Sequence, residues 1–279
     1  MLMTALEKKK SVKTIAITSG KGGVGKTNVT ANLAIAMRKL GRKVMIVDAD
    51  LGLSNIEVLL RLAPKFNIQH VLKGGMALRD VVVEGPHGVQ LLSAGSGVQE
   101  LTILDEFQRL KILEAFAAYQ SDIDVLLIDT AAGISDNVAF FCIASQEIVV
   151  VTSPEPTAIA DASALISVLY TRYQENEFHV LVNSVKNPEE AVEAFRRLSL
   201  ATEKFLCLSL DYLGFLPYDE SVQSAVRAQR PFIDMYPQNP ISRRITEIAK
   251  GFLGRTEKVK GTLQFFIGNP LWAPAGSGQ

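Results

Sequence analysis

The sequence predicts a doubly wound α/β domain: a mostly parallel sheet with helices on both faces. Three observations carry the prediction. Short apolar runs alternate with amphipathic stretches, several of those runs are apolar at every position, and a Gly-rich turn joins the first run to the first helical pattern. A strand apolar at every position is covered on both faces, as in a parallel sheet whose crossovers are helices. Right-handed crossovers then follow from the strand–helix repeat.

Runs at 14–18, 43–47, 89–92, 125–128, 148–152, 179–183 and 212–216 read as strands. Helical patterns lie near 27–40, 105–119, 135–144, 157–173, 188–205, 219–229 and 240–253. In the first helix Val29, Leu33, Ala36, Met37 and Leu40 fall on one face, and Gly41 caps the end. Leu104, Phe107, Leu110, Leu113 and Ala117 are expected to do the same before Val125. The 279 residues divide into a short extension (1–12), one large domain (13–254) and a tail (255–279) where charge and then Gly, Pro and Ser become frequent.

Composition excludes several classes. Lys plus Arg and Asp plus Glu both total 29, so no global field favours nucleic acid or an anionic membrane. Two cysteines, Cys142 and Cys207, are remote from each other in apolar surroundings and read as buried small hydrophobes of a reducing compartment. Without a CxxC pair, and with only His70, His87 and His179 scattered along the chain, a zinc or iron–sulfur site is not expected. MLMTALEKKK is too polar for a signal peptide, and no run reaches the roughly 18–20 apolar residues of a membrane span. A cytoplasmic protein is the expectation.

The chemistry starts at Gly20-Lys21-Gly22-Gly23-Val24-Gly25-Lys26-Thr27, which fits G-x-x-x-x-G-K-[ST] between a strand and a helix. Glycines let backbone N–H groups converge on phosphate oxygens, and the helix N-terminus adds partial positive charge. Lys26 is expected to reach the β- and γ-phosphates of a nucleotide, and the Thr27 hydroxyl to ligate Mg²⁺. The strand 43–47 runs into Asp48-Ala49-Asp50, two carboxylates that point the same way if the segment stays extended. Strand 125–128 ends in Asp129, the pattern that orients Mg²⁺ directly or through water, and continues Thr130-Ala131-Ala132-Gly133.

The string KGGVGKT resembles the deviant Walker A ATPases of the SIMIBI class of P-loop NTPases, the MinD/ParA family. That resemblance implies a homodimer formed with ATP, in which Lys21 crosses the interface to neutralise phosphate in the partner's site. It implies that Asp50 handles the attacking water, that Asp48 lies in the magnesium–water shell or pairs a lysine, and that the Gly133 N–H senses the γ-phosphate. Catalysis would then fall to Lys21, Lys26 and Asp50, and magnesium to Thr27, Asp48 and Asp129. Asn183 and Pro217 match the positions at which the MinD group contacts adenine, and Asn183-Ser184-Val185-Lys186 lacks the Asp that reads guanine. ATP with Mg²⁺ is the implied ligand.

Runs outside the nucleotide site resemble one branch, the flagellar-number regulators of the FlhG/FleN/YlxH type. They include Asn67 to Leu72, Ser96 to Leu101, Thr152-Ser153-Pro154-Glu155-Pro156-Thr157 and Arg227 to Phe232. The resemblance implies control of flagellar number or placement through an FlhF-like GTPase, a basal-body protein or a transcription regulator. MLMTALEKKK lacks the Asp-Gln-Ala-x-x-Leu-Arg element with which many members stimulate that GTPase, so this activity is not carried over. In the tail Val259, Leu263, Phe266 and Ile267 fall on one helical face, which reads equally as a membrane-targeting segment that would hold the chain peripherally at the inner face of the membrane or as apolar residues that cover the domain's own edge. The alternative is a ParA-type DNA-partitioning ATPase, which needs a basic face that the balanced charge does not favour.

Overall fold

The computed structural model describes residues 12–51, 55–95, 103–119, 123–255 and 264–266. Eight strands form one sheet in the order β3-β4-β2-β5-β1-β6-β7-β8. They are β1 (Lys13–Ser19), β2 (Val44–Ala49), β3 (Val83–Glu84), β4 (Gln90–Leu92), β5 (Val125–Ala132), β6 (Glu147–Thr152), β7 (His179–Val185) and β8 (Asp211–Pro217). Every pairing is parallel except the two-residue edge pair β3–β4. Between them run α1 (Lys26–Lys39), α2 (Ile56–Leu59), α3 (Ile68–Leu72), α4 (Leu78–Val81), α5 (Glu106–Ala118), α6 (Asp136–Ile143), α7 (Pro156–Tyr173), α8 (Pro188–Leu206), α9 (Glu220–Arg227), α10 (Phe232–Met235) and α11 (Pro240–Gly254). The doubly wound, mostly parallel sheet with helices on both faces is therefore as the sequence predicts.

Alternation within the strands explains why their runs are continuously apolar. Ile15, Ile17, Val44, Ile46, Val125, Leu127, Val149 and Val151 face one core, under α1 and α11. Their neighbours face the other side: Met45, Val47, Leu126 and Ile128 toward α5 and α6, and Ile148, Val150, Val180 and Val182 toward α7 and α8. Both residues of each period-two pair are thus buried. Helix α1 is more deeply placed than an amphipathic stripe implies, with every residue from Val29 to Met37 buried, because α11 covers the side turned away from the sheet. It ends as expected: Gly41 has φ 82° and donates to the Arg38 carbonyl, while Arg42 donates to that of Met37.

Two expectations are corrected. In α5 the buried residues are Ile112, Leu113 and Phe116, whereas Phe107 is 65% exposed under the Lys111 ammonium. The register is set by Phe116, which packs edge-on against Phe265 of the tail. Cys142 is buried as expected, but Cys207 is exposed at the end of α8 in the left-handed conformation (φ 52°) that closes the helix.

The amino ends of the strands carry a polar cluster. Lys13, Glu147, His179 and Asp211 each begin a strand, and Arg255 follows α11. The His179 Nε2 lies 2.7 Å from Glu147 and its Nδ1 lies 2.6 Å from Asp211, while Arg255 donates to both carboxylates. Lys13 donates to the Phe252 and Arg255 carbonyls at 2.7 Å each, which ties the end of α11 to the sheet. Burial alone would raise the Glu147 pKa, but the His179 hydrogen bond and charge, joined by Arg255, hold it below the usual carboxylate value.

Candidate functional site: a nucleotide-phosphate cradle

The carboxyl ends of the parallel strands form the other rim, where an open α/β sheet places its ligand. Here β1 stops at Ser19 and the chain turns through the Gly-rich loop into α1. Gly20 is required by close approach: a Cβ would overlap the backbone of Asp161 and Ala162 in α7. Gly25 has φ 91°, and a Cβ there would also strike the Asn183 amide. Helix α1 starts with no side-chain cap and no acidic residue in its first turn, so its leading N–H groups are left to an anion. Donors, dipole and lysine therefore fit a phosphate chain.

Lys26 is buried, and its Nζ lies 3.2 Å from the Asp129 Oδ1. The Thr30 hydroxyl donates to the same oxygen at 3.0 Å. Asp48 and Asp129 are direct neighbours across the β2–β5 pairing, and both side chains are almost wholly buried. Strand β2 ends at Ala49, and the Asp48 carboxylate accepts the Asp50 N–H at 3.0 Å. Alternation thus stops before Asp50, and the two carboxylates do different things: Asp48 fixes the turn, and Asp50 stands half-buried beyond it. No group of three or more His, Cys, Asp or Glu side chains that could hold a metal occurs among the described residues. Two buried carboxylates, Asp48 and Asp129, beside a phosphate cradle suit Mg²⁺ held by one or two protein oxygens together with phosphates, which is how this cation is usually bound beside nucleotides.

Gly133 lies in the left-handed region (φ 97°), and its N–H donates to the Ser19 carbonyl at 2.9 Å. Contact between this N–H and a γ-phosphate requires that bond to open. Lys21 does not enter its own cradle. Its Nζ donates to Glu155 at 2.7 Å and to the Thr157 hydroxyl at 2.9 Å, at the start of α7.

Beside the loop, the ends of β7 and β8 and the helix α9 enclose a cavity of about 440 Å³. Asn183 and Pro217 both line it, and the Asn183 amide donates to the Val24 carbonyl at 2.7 Å. Tyr218, Gln223, Arg227 and Phe232 line it too, and no role was foreseen for them. The signal was present for two of these, since Arg227 and Phe232 bound a run singled out only by resemblance.

Of the expected membrane face, Val259, Leu263 and Ile267 lie outside the described residues. Phe266 does not continue a helix: its φ is 64°, so the 3.6-residue period is broken there. The neighbouring Phe265 is the buried anchor, with Phe116, Phe140 and Phe141 around it and its N–H on the Ala144 carbonyl. No helix among the described residues is long and apolar enough to cross a membrane.

A phosphate cradle after the first strand of a mostly parallel sheet, with a buried lysine answered by an aspartate of the neighbouring strand, defines a P-loop NTPase. The family model described as ParA, NUBPL iron-transfer P-loop NTPase, matches residues 10–253. The chain is 42% identical to the antiactivator FleN of Pseudomonas aeruginosa over 266 residues, 95% of either chain. It is 34% identical to the flagellum site-determining protein YlxH of Helicobacter pylori, over 90% of this chain and 85% of that one. Among solved structures, the MinC:MinD cell division complex of Aquifex aeolicus superposes with a TM-score of 0.71 at 29% identity, over 89% of this chain and 98% of that one. MinD of Pyrococcus horikoshii, complexed with Mg-ADP, shares the fold at a TM-score of 0.72 and 24% identity, over 87% and 96%. The chain belongs to the ParA family, in its MinD-like FlhG/FleN branch, and is an ATPase.

Proposed function

We propose that this ATPase is a dimerisation switch that regulates flagellar number or placement. The observation that carries the switch is the position of Lys21. Its ammonium is bonded to Glu155 and Thr157 and partly exposed, while Lys26 is the buried lysine of the cradle, which leaves Lys21 to serve the phosphates of a facing copy. Such a cation acts as an arginine finger does in trans, stabilising charge that develops during phosphoryl transfer. Within one site Lys26 and the N-terminal amides of α1 hold the phosphates, Asp50 orients the attacking water, and Thr27, Asp48 and Asp129 serve the magnesium shell. Asn183 and Pro217 flank the adenine. Opening of the Gly133–Ser19 bond is the step by which the γ-phosphate would be read.

The flagellar assignment is supported by the likeness to FleN and YlxH over nearly the whole chain. An antiactivator acts on transcription, so a transcription regulator is the first partner to test, ahead of an FlhF-like GTPase or a basal-body protein. Peripheral membrane binding through the tail is the finer part of the reading. It requires the tail to leave the Phe116–Phe141 contacts that hold Phe265.

Light scattering with ATP and with ADP tests the switch. Wild type should double its mass only with ATP, Lys21→Ala should stay monomeric, and Asp50→Ala should remain dimeric. A wild-type chain with one mass in both nucleotides overturns the reading. Liposome co-sedimentation of the full chain and of a version ending at Gly254 tests the tail: pelleting that needs ATP and residues 255–279 supports it, and equal pelleting discards it.

A further inference from the structure

The run Arg227 to Phe232 ends at the first residue of α10, and Phe232 lines the cavity beside α9. Helix α10 has only four residues, and Pro231 at its capping position makes no side-chain capping bond. The leading N–H groups of a helix have no partner within it. One of them, the Ile233 N–H, donates to the Asn32 Oδ1 at 3.0 Å, across 201 residues of chain. Asn32 lies wholly buried in the middle of α1, and its own amide donates to the Asn28 carbonyl at 2.8 Å. Asparagine is a poor helix former, and burying it is costly unless its polar atoms are answered. Here both are.

We propose that Asn32 is a positioning residue for nucleotide binding. By capping α10 from inside α1, it fixes Phe232, a wall of the base cavity, relative to the phosphate loop that opens α1. The inference rests on the reading that this cavity takes the base, and it names a residue that acts without touching nucleotide.

The layout of α1 supports it. Asn28 and Val29 line the cavity themselves, Asn32 stands one turn further on, and Lys39 follows two turns beyond on the same face. Lys39 donates to the Asp234 carboxylate at 2.6 Å and to the Ile233 carbonyl at 3.3 Å. The His87 Nε2 lies 3.0 Å from both oxygens of Asp234. Helix α10 is thus braced at two points against the helix whose first residue is Lys26.

A four-residue helix holds little structure of its own, so losing the Asn32 acceptor opens α10 locally and leaves the domain folded. Affinity then falls with the fraction of chains whose cavity is closed. The cradle itself is built from Gly20 to Thr27 and Asp129 and does not use α10. A ligand with a base and a ligand without one should therefore respond differently.

Asn32→Leu removes the acceptor at nearly constant size and suits the apolar surroundings of α1. Competition against a labelled nucleotide, with Mg²⁺ present, compares ATP with inorganic tripolyphosphate, which carries the phosphates and no base. Asn32→Leu should weaken ATP by about fivefold to a hundredfold, the span for leaving a buried amide unanswered, and tripolyphosphate by less than about twofold. In turnover the loss should appear in KM more than in kcat. General damage to the fold would weaken both ligands together. Asp234→Asn, at the second point of the brace, should act in the same direction by less, and it decides the matter if Asn32→Leu fails to fold. Unchanged ATP affinity, or equal losses for ATP and tripolyphosphate, overturns the proposal. Wild type tests the reading beneath it: if ATP and tripolyphosphate bind it equally tightly, the cavity does not take the base.

Discussion

Lys26 and Asp129, 103 residues apart in the chain, meet at 3.2 Å in the buried floor of the phosphate cradle. The aspartate lies in the buried part of β5, and the lysine is the first residue of α1. Removing the charge from one partner leaves the other buried and unanswered, which typically costs about 3–5 kcal/mol. Asp129→Asn should therefore lower the unfolding free energy by about that amount without nucleotide. Bound ATP offers Lys26 another anion, so its addition should stabilise the variant more than the wild type. Urea unfolding with and without ATP measures both, and the variant should also lose most ATP turnover.

Asp50 lies beyond the end of β2, past a turn that Asp48 fixes. Replacing it should remove hydrolysis without removing binding. Asp50→Ala is expected to lower ATP turnover by about 10²-fold or more, the loss typical of a missing base or water-positioning group. Its ATP affinity should remain close to wild type. Steady-state phosphate release and equilibrium binding of a fluorescent ATP analogue decide this, and a variant that loses both in parallel would place Asp50 in binding.

Asn183 joins the cavity beside α9 to the loop, through its bond to the Val24 carbonyl. Loss of a partly buried hydrogen bond of this kind, with its acceptor left unanswered, typically costs about 1–3 kcal/mol. Asn183→Ala should therefore weaken ATP binding by roughly fivefold to a hundredfold and narrow the preference for ATP over GTP. Competition between the two nucleotides for the labelled analogue gives both numbers. Pro217→Ala, which removes ring contact only, should do less.

Long elements were legible because each repeats its pattern several times. The seven strands and seven helices read from periodicity all exist, with ends shifted by one or a few residues. Helices α2, α3, α4 and α10 and strand β3 were missed, for they span two to five residues and show no period. Phe107 was misplaced because an apolar residue at helical spacing need not face the core. At α5 the deciding partner, Phe265, lies far along the chain. The cradle was readable since G-x-x-x-x-G-K-[ST] demands its own geometry. By contrast the contact between Lys21 and Glu155 spans 134 residues, and neither position constrains the other in sequence. Even the useful run around Glu155 could be matched but not interpreted without the fold.

The cluster at the amino ends of the strands yields a pH prediction. Glu147 is held below its usual pKa in the folded chain, although burial opposes this, because His179 and Arg255 favour its charged form. A carboxylate with a depressed folded pKa contributes stability that is fully present above the unfolded value. That contribution is lost as pH falls from the usual carboxylate range through the lower folded value. Wild-type stability should accordingly decline on the acid side of about pH 4.5, where the unfolded Glu titrates. Glu147→Gln should flatten that decline and lower stability at neutral pH, where its partners Lys13, His179 and Arg255 would lose a counter-charge. Urea midpoints collected from pH 7 to pH 3 on both chains give the two slopes, and parallel curves would show that Glu147 plays no part. Because the same residues fasten the end of α11, proteolysis near Arg255 should begin at a higher pH in Glu147→Gln than in wild type.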